Sequence, residues 1–377
     1  MYYPAYYIEV IRYGLTTLFG LSLFIQLYYY FRFYFQVPLK RRTPQLIKYP
    51  ISVIVCARNE AENLEKNLPT ILNQAHENFE VIVVNDCSTD NTDNVLAELM
   101  LKYKNLRTTT ITPDKKFTHG KKLAVTVGVK AAKNEWLVFT DADCAAGSDQ
   151  WLNRLQENFT DSTDIVLGYG GYKRRRGLLN RYIRFDTAFI AIQYLGFALA
   201  GKPYMGVGRN LVYRKSLFFK NKGFASHYNL ISGDDDLFVN ETANKRNTAV
   251  EFHPESHTRS EPKITWGQWF GQKKRHVSTA SRYKPKHYFL IGLEPLSRLL
   301  FYLTFCYLLC MNLFHPYILI AGGVRFLFQV IILSIGFYKL RERKLFVWMI
   351  IFDFISIFIN CCIYLSTAIR SKKSRWK

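Results

Sequence analysis

Three short apolar runs, separated by helical segments, constrain the fold of this chain most strongly. They occupy residues 51–56, 79–85 and 136–140. Continuous runs rich in Val and Ile are typical of strands that are buried on both faces of a parallel sheet. The other predicted elements are strands over residues 106–112 and 164–171 and helices over residues 62–73, 91–103 and 121–132. Strands that alternate with helices at this spacing predict an α/β fold with right-handed crossovers.

Two carboxylates, Asp141 and Asp143, follow directly after the run 136–140. Side chains two residues apart on an extended chain point the same way. Ligands of open α/β sheets bind beyond the carboxyl ends of the strands. Mg²⁺ in proteins commonly binds one or two carboxylates together with substrate phosphates. The pair therefore indicates a cation site, and the alternative is a pair of solvated turn aspartates.

Polar side chains also follow the other two buried strands. Arg58, Asn59 and Glu60 come after the first strand, and Asp86 and Asp90 come after the second. A parallel sheet brings all of these residues to the same edge as the Asp141 pair. Three polar clusters at one edge predict a site for a nucleotide and a cation, whereas any one of them alone fits a solvated loop.

The net charge of +22 is concentrated beside apolar segments. The basic stretches are residues 40–42, 339–344 and 370–377. Cytoplasmic loops of membrane proteins collect Lys and Arg, so this placement favours a membrane protein over a nucleic-acid-binding one. The seven cysteines show no spacing typical of a disulfide framework or a zinc site, which fits a reducing compartment.

Apolar segments at both ends are long enough to cross a bilayer, which takes about 20 residues. They span residues 10–35, 289–313, 317–338 and 345–369. Glu294 and Arg298 make the second segment the weakest candidate, so we expect three or four spanning helices, with the side of the C-terminus left open. Asp353 should face protein rather than lipid. The helix predicted over residues 178–199 either lies against a membrane or belongs to the core.

Four motifs in order carry a resemblance to a known family. They are VIVCARNEAENL, VIVVNDCSTDNT, HGKKLAVTVGVKAA and WLVFTDADC. This order resembles glycosyltransferase family 2, whose members are inverting enzymes with the nucleotide-sugar-binding fold called GT-A, and the resemblance runs from about residue 50 to residue 279. It implies a cytosolic, Rossmann-like GT-A domain with a mostly parallel sheet and transmembrane helices at both ends. One departure is Asn85-Asp86-Cys87, where the family often has Asp-Asp-Gly and where Cys87 lacks the freedom of glycine at positive φ.

The resemblance also implies roles for individual residues. Asp143 and Asp141 would bind a divalent metal, Mg²⁺ or Mn²⁺, with Asp143 as the more direct ligand. The residues that would contact the nucleotide-sugar are Ala57, Arg58, Glu60, Asp86, Lys121, Asp141, Gln272 and Arg275. The stretch GVGRNLVYR resembles the family motif G-x-N-L-x-Y-R-K, which places Gly208, Arg209 and Asn210 near the donor sugar and the acceptor.

The second acidic cluster, ISGDDDLF, offers a general base for the acceptor hydroxyl. Family members often carry Glu-Asp at this point. Aligning Gly233-Asp234 with that pair makes Asp234 the base, which we prefer because Asp236-Leu237 then also matches the family. Shifting this alignment by one residue, so that Asp234-Asp235 matches the pair, makes Asp235 the base. The alternative interpretation is a helix N-terminus enriched in aspartate to suit the helix dipole.

Residues 272–276 resemble the Q-x-x-R-W motif of membrane-bound family members. Gln272 and Arg275 share a helix face, and Arg275 is suited to bind the departing diphosphate. His276 replaces the tryptophan that lines the acceptor site of polysaccharide synthases. This difference weakens the interpretation of the chain as such a synthase. The alternative interpretation is a basic helix on anionic lipid, and this is what we expect of Lys273 and Lys274.

The sequence thus predicts a membrane-bound inverting hexosyltransferase that moves a sugar from a nucleotide-sugar, by resemblance a UDP-sugar, to a lipid or lipid-linked acceptor. A processive polysaccharide synthase is the alternative enzyme, and a basic membrane protein without enzymatic activity is the alternative class. The expected partners are the donor, the acceptor and membrane lipids, but no nucleic acid. The expected divisions are an N-terminal helix and linker (1–44), the GT-A domain (45–262), a juxtamembrane segment (263–288) and a C-terminal membrane region (289–377).

Overall fold

The computed structural model describes residues 3–40, 48–112, 120–230, 232–313 and 315–369. The α-helices are α1 (Tyr3–Tyr29), α2 (Gln36–Leu39), α3 (Ala61–Leu72), α4 (Thr92–Lys102), α5 (Lys121–Ala131), α6 (Trp151–Gln156), α7 (Leu178–Leu199), α8 (Lys215–Lys220), α9 (Asp236–Thr242), α10 (Trp266–Val277), α11 (Pro285–Cys310), α12 (His315–Lys339) and α13 (Met349–Ile369). The strands are β1 (Ile51–Ala57), β2 (Phe79–Asp86), β3 (Leu106–Ile111), β4 (Trp136–Asp141), β5 (Cys144–Ala146), β6 (Ile165–Leu167), β7 (Gly170–Tyr172), β8 (Leu211–Arg214), β9 (Thr248–Val250) and β10 (Thr258–Ser260). A π-helical turn, Tyr30–Tyr34, joins α1 to α2.

The main sheet has seven strands in the order β3-β2-β1-β4-β8-β6-β9. The first four run parallel, and β8 is antiparallel to both of its neighbours. The register sets Ile51 opposite both Phe79 and Trp136, so β1, β2 and β4 end at one level. The predicted mostly parallel α/β architecture is confirmed, and the polar residues after these three strands share one edge.

A second sheet of three short strands, in the order β5-β10-β7, lies beside that edge. The single strand predicted over residues 164–171 was wrong, because it is divided between the two sheets. The Gly168 amide still donates to the Asn210 carbonyl at 3.0 Å, after which the chain leaves the main sheet. Gly168 is needed there because a Cβ would lie 2.5 Å from the Asn210 side chain. The split brings β7 and β10 beside the turn that follows β4.

Helix α7 is a core helix, which decides between its two predicted locations. Most of its residues are buried, and Phe197 stacks on Phe33 of the π-helical turn at 3.9 Å. Tyr34 packs edge-on against Phe189. A fully buried aromatic side chain contributes about 1.5–3 kcal/mol, so this contact joins the N-terminal helix firmly to the α/β domain.

Four helical segments within the described ranges are long and apolar enough to cross a membrane: Glu9–Leu39, Pro285–Cys310, His315–Lys339 and Phe346–Ser366. The segment that contains Glu294 and Arg298 is among them. Asp353 is fully buried and pairs with Arg298 at 2.7 Å and with Arg325 at 3.0 Å. The expectation that Asp353 faces protein is confirmed, because these pairs satisfy a charge that is costly in an apolar environment.

The loop between α12 and α13 is attached to the α/β domain. Glu342 is buried and bonds to Arg184 of α7 at 2.6 Å and to Arg259 of β10. Lys339 donates to the backbone carbonyls of Val37, Pro38 and Lys40, which fixes the ends of α2 and α12 together. The other predicted basic residues, 41–42 and 370–377, lie outside the described residues.

Candidate active site

The candidate site is a cleft at the carboxyl ends of β1, β2 and β4. Its first residues lie at the end of β4. One ligand atom each from Asp141, Asp143 and Cys144 lies within 4.8 Å of the other two. The Cys144 thiol is buried and lies 3.4 Å from Asp143 Oδ1 and 3.0 Å from Ser260 Oγ. Burial and the nearby Asp141 charge raise the pKa of Asp143. Carboxylates that crowd together in this way suit a hard divalent cation, which relieves their repulsion.

Lys121, the first residue of α5, connects the two acidic clusters. Its Nζ lies 2.8 Å from Asp141 Oδ1 and 3.1 Å from Asp234 Oδ2. Burial disfavours the ammonium, but attraction to Asp141, Asp234 and Asp235 outweighs burial and raises the pKa of Lys121 well above its usual range. Lys121 is therefore a permanent cation between a residue of the sheet edge and a residue of the second acidic cluster.

The three aspartates of the second cluster have different environments. Asp235 accepts from the Gly208 amide at 2.6 Å and caps α9 through the Asp236 amide at 2.8 Å. Asp236 is buried and accepts from the hydroxyls of Thr279 and Tyr283. Asp234 and Asp235 both line a small cavity with Lys121, Asp141 and Gly208, and Asp234 pairs there with Lys121. The helix-capping interpretation applies to Asp235, whose two oxygens accept backbone hydrogen bonds.

The glycine-containing stretch before β8 contributes Gly208 and Arg209. A Cβ at Gly208 would lie 3.2 Å from Lys121 Nζ and 3.3 Å from Asp235 Oδ2, so glycine permits the close approach. The Arg209 guanidinium lies over the Tyr172 ring at 4.4 Å. Burial opposes ionisation of Asp141, but Lys121 and, to a smaller extent, Arg209 lower the pKa of this carboxyl. Gly208 lines the cavity at Lys121, and Arg209 lies within range of the charges of Asp143 and Asp141.

Asn210 does not belong to the cleft, which corrects its predicted role. It is fully buried, and its Oδ1 accepts from Trp151 Nε1 at 3.1 Å. Its Nδ2 donates to the carbonyls of Tyr169 and Ser256 at 3.0 and 2.7 Å. With all of its amide atoms used inside the protein, Asn210 fastens the start of β8 to α6 and to the segments before β7 and β10, and it cannot contact a sugar.

The residues predicted to contact the nucleotide lie together after β1 and β2. Arg58 Nη1 lies 4.0 Å from Asp86 Oδ2, and Asp86 is fully buried at the end of β2. Ala57 is the buried last residue of β1. Burial, together with the charges of Asp143 and Asp141, raises the pKa of Glu60, so Glu60 lies within electrostatic range of the carboxylate pair.

Hydrogen bonds join the two loops that carry these residues. Asn59 Oδ1 accepts from the Thr89 amide at 2.8 Å, and the Asn59 amide donates to Ser88 Oγ at 2.9 Å. Cys87 takes the positive φ of +55° that we considered a difficulty for a residue other than glycine. Asn85 Nδ2 donates to Asp93 Oδ1 at 2.6 Å, a structural role in agreement with its omission from the predicted site.

Helix α10 carries the Q-x-x-R-H residues past the same cleft. Gln272 Nε2 donates to the Tyr172 hydroxyl at 3.1 Å, and Tyr172 in turn lies beneath Arg209. His276 is exposed and lies within range of the charges of Arg209 and Lys121. Within the described chain, no hydrogen bond joins the Arg275 guanidinium to the acidic residues of the cleft. An anionic ligand would have to bring Arg275 into the site.

The lipid-facing role expected for Lys273 was wrong. Lys273 is buried, and its Nζ lies 2.6 Å from Asp186 Oδ2 on α7. The pair anchors α10 to the core helix. A buried partner 87 residues away along the chain leaves no signal in the local pattern of basic residues.

Two positioning residues, Lys122 and His227, were not found from the sequence. Lys122 is buried, and its Nζ donates to the carbonyls of His227 and Leu230 at 2.5 and 2.9 Å. His227 Nε2 lies 2.9 Å from the Gly233 carbonyl, immediately before Asp234. Burial lowers the pKa of Lys122 to about 8. These contacts hold the backbone that presents Asp234, and only the adjacent Lys121 drew attention to this part of the chain.

Comparison with known proteins agrees with this geometry. Residues 52–220 match the model of the family described as "Glycosyl transferase family 2". A glycosyltransferase from Haemophilus influenzae is 29% identical over 122 residues, which are 32% of this chain and 36% of that protein. A poly(ribitol-phosphate) beta-glucosyltransferase from Bacillus spizizenii is 30% identical over 123 residues, which are 31% of this chain and 18% of that protein. The chain thus spans about a third or less of the length of these two relatives.

A solved structure extends the likeness beyond that domain. The mannosyltransferase PcManGT from Pyrobaculum calidifontis, in complex with GDP-Man and Mn²⁺, has a TM-score of 0.58 at 19% identity, covering 89% of this chain and 99% of its own. At this identity the match establishes the fold alone. Residues 52–220 therefore match glycosyltransferase family 2, and the α/β domain has the GT-A fold of its structural neighbour.

Proposed function

We propose that this protein is a membrane-bound inverting glycosyltransferase that moves a sugar from a nucleotide-sugar to a lipid or lipid-linked acceptor. The observation that carries the proposal is the bridge of Lys121 between Asp141 and Asp234. It joins the carboxylates suited to a metal and a diphosphate to the carboxylate suited to an acceptor hydroxyl. A donor and an acceptor bound on either side of Lys121 would therefore meet.

The donor side consists of the residues after β1, β2 and β4. Arg58, Glu60 and Asp86 would surround the base and ribose, and Arg275 would approach the diphosphate. Asp143 and Asp141 would hold Mg²⁺ or Mn²⁺, and the bound cation would neutralise the negative charge that develops on the departing diphosphate. The complex of the fold neighbour with GDP-Man and Mn²⁺ supports a donor and a metal of this kind.

Asp234 would act as the general base on the acceptor side. Its carboxylate would take the hydroxyl proton as that oxygen attacks the anomeric carbon, while the bond from this carbon to the diphosphate breaks on the opposite face. Attack opposite to the leaving group inverts the anomeric centre. Asp235 is less suited to this role because both of its oxygens already accept backbone hydrogen bonds.

The acceptor class follows from the neighbours of the second acidic cluster. Asp236 bonds to Tyr283, two residues before the first C-terminal apolar helix begins at Pro285. Ile264 and Trp266, at the start of α10, are 70% and 40% exposed. Exposed apolar side chains beside apolar helices support a cleft that opens at a membrane surface. The basic loop Lys339–Lys344 supports a cytoplasmic location for the domain, and the four-part division of the chain remains part of the proposal.

The test is transfer by the full chain in lipid nanodiscs, screened with radiolabelled nucleotide-sugars and followed by analysis of the labelled product. We expect a lipid product that carries one sugar and a rate that falls to background with EDTA and returns with Mn²⁺. Asp143→Asn should also abolish transfer, whereas Asp161→Asn, an exposed aspartate outside the cleft, should not. A ladder of long products would indicate a polysaccharide synthase instead, and full activity of Asp143→Asn would refute the metal site.

A further inference from the structure

A second cavity lies where the α/β domain meets the ends of two apolar helices. Its volume is about 280 Å³, and none of its lining residues lines the cavity at Lys121. Lys40, Tyr338, Lys339 and Arg341 line it from the helix ends, and Phe252 and His253 line it from the domain. The residues proposed to act in transfer take no part in it.

The charges that face this cavity favour an anion. Lys40, Lys339 and Arg341 supply three cations. The two carboxylates of the wall are used within the protein. Glu157 pairs with Arg154 at 2.9 Å, and Glu251 accepts from Asn158 Nδ2 at 2.9 Å and from the His253 amide. Lys339 Nζ already donates to three backbone carbonyls, so Lys40 and Arg341 are the cations that would donate to a phosphate group.

The backbone of Arg341 would accept a glycine. Arg341 follows the last turn of α12 with a φ of +58°, and the next amide, that of Glu342, closes back on the Phe337 carbonyl at 2.8 Å. Helices that end in this way usually carry glycine at the left-handed position. A glycine at position 341 would therefore keep this turn while removing the side chain.

The location of the cavity indicates where the anion comes from. Two of the candidate spanning segments, Glu9–Leu39 and His315–Lys339, end at its wall. Lys339 holds the two ends together through the carbonyls of Val37, Pro38 and Lys40. Phe252 and the exposed Tyr338 add apolar surface beside the cations. A cationic cavity with an apolar side, at the level where helices leave a bilayer, matches a lipid headgroup better than a dissolved ion.

We propose that this cavity binds the phosphate headgroup of an anionic phospholipid. Arg341 and Lys40 contact the phosphate, and Tyr338 and Phe252 contact the glycerol end of the lipid. The proposal rests on the membrane insertion included in the proposed function, but not on sugar transfer. The bound lipid fixes the domain against the membrane at a point separate from the catalytic cleft.

The test compares two glycine variants, Arg341→Gly and Lys344→Gly. Both residues belong to the same loop, are exposed, carry one positive charge and have a positive φ, of +58° and +70°, so glycine suits both backbones. Lys344 does not line the cavity. Full-length protein in neutral detergent is incubated with phosphatidylglycerol or phosphatidylcholine, and native mass spectrometry measures the lipid retained. The readout needs no donor or acceptor, so it stays informative if transfer fails.

We expect the wild type and Lys344→Gly to retain one phosphatidylglycerol and little phosphatidylcholine. Arg341→Gly should lower phosphatidylglycerol retention by about tenfold, the effect of one charge-assisted hydrogen bond. Equal losses in the two variants, or no loss in Arg341→Gly, would overturn the proposal. A further arm adds inorganic phosphate at millimolar concentration. If free phosphate displaces the lipid and raises the unfolding temperature as much as the lipid does, the site binds a dissolved anion and the lipid assignment is wrong.

Discussion

The Nζ of Lys121 lies 3.1 Å from Asp234 Oδ2. The same ammonium lies 2.8 Å from Asp141 Oδ1, so one cation holds the end of β4 and the start of the second acidic cluster in a single arrangement. Without it, the carboxylates would repel one another across the cleft.

Replacing Lys121 with methionine should reduce transfer by about a hundredfold or more, because an oriented cation beside developing charge contributes on this scale. The variant also leaves Asp141 and Asp234 without their shared partner. Transfer rates in nanodiscs at saturating donor concentration provide the measurement. Lys130→Met, on the exposed face of the same helix, is the matched control and should keep wild-type rates. Near-normal transfer by Lys121→Met would contradict the role of the bridge.

Asp234→Asn should lose chemistry but keep the donor. General bases typically contribute about 10²–10⁴-fold, so we expect the transfer rate to fall within that range. Nucleotide affinity, measured by calorimetry with the nucleoside diphosphate and Mn²⁺, should stay close to that of the wild type. Asp161→Asn serves as the control on an exposed aspartate. The assignment is wrong if Asp235→Asn shows this behaviour while Asp234→Asn remains active.

The stability of the protein should depend on pH through Asp235. Burial, with the charges of Asp234 and Asp236, raises the pKa of this carboxyl to about 7. The unfolded carboxyl has a pKa of about 3.9, so the folded state holds the proton more tightly between these values. The stabilisation is therefore complete below about pH 4 and is lost as the pH rises through about 7.

Asp235→Asn removes this titration. The variant loses a constant amount of stability because the cap of α9 is weakened. The free energy of unfolding of the variant minus that of the wild type should nevertheless increase from pH 5 to pH 8, because only the wild type loses stability over this range. Urea unfolding followed by tryptophan fluorescence at several pH values measures this difference. A difference that stays constant, or that falls as the pH rises, would show that Asp235 is ionised throughout.

Glu342→Gln should destabilise the attachment of the α/β domain to the helices. Removing one member of a buried ion pair typically costs about 3–5 kcal/mol, and Glu342 serves both Arg184 and Arg259. We expect a clearly lower thermal midpoint in detergent, measured by fluorescence. Glu98→Gln, on the exposed face of α4, should leave the midpoint within a degree or two. An equal midpoint for both variants would contradict a supporting role for Glu342.

Much of the sheet could be predicted because its signals are local. The strand expected over residues 51–56 spans Ile51–Ala57, and the one expected over 136–140 spans Trp136–Asp141. Continuous apolar runs report burial on both faces without any knowledge of the neighbouring strands. Asp141 and Asp143 could be placed at the cleft for the same reason, because the apolar run that predicts the strand also shows where its carboxyl end lies.

The remaining features depend on contacts between distant residues. Strands of three residues, such as β5 and β10, have no periodicity to detect. Asn210 lies in a stretch that resembles a sugar-binding motif, yet its amide is used by Trp151, Tyr169 and Ser256. Lys273 looked like a lipid-facing cation until Asp186 was found opposite it. Such partners are set by tertiary packing, which the spacing of residue types does not record.

The stacking of Phe33 on Phe197 means that the catalytic unit cannot be trimmed free of its first helix. Phe33, Tyr34 and Val37 are fully buried and belong to the same cluster of core residues as α7. A shortened chain that starts after residue 47 would expose that face of α7 to water and should aggregate. In this protein the N-terminal apolar helix also completes the interior of the α/β domain.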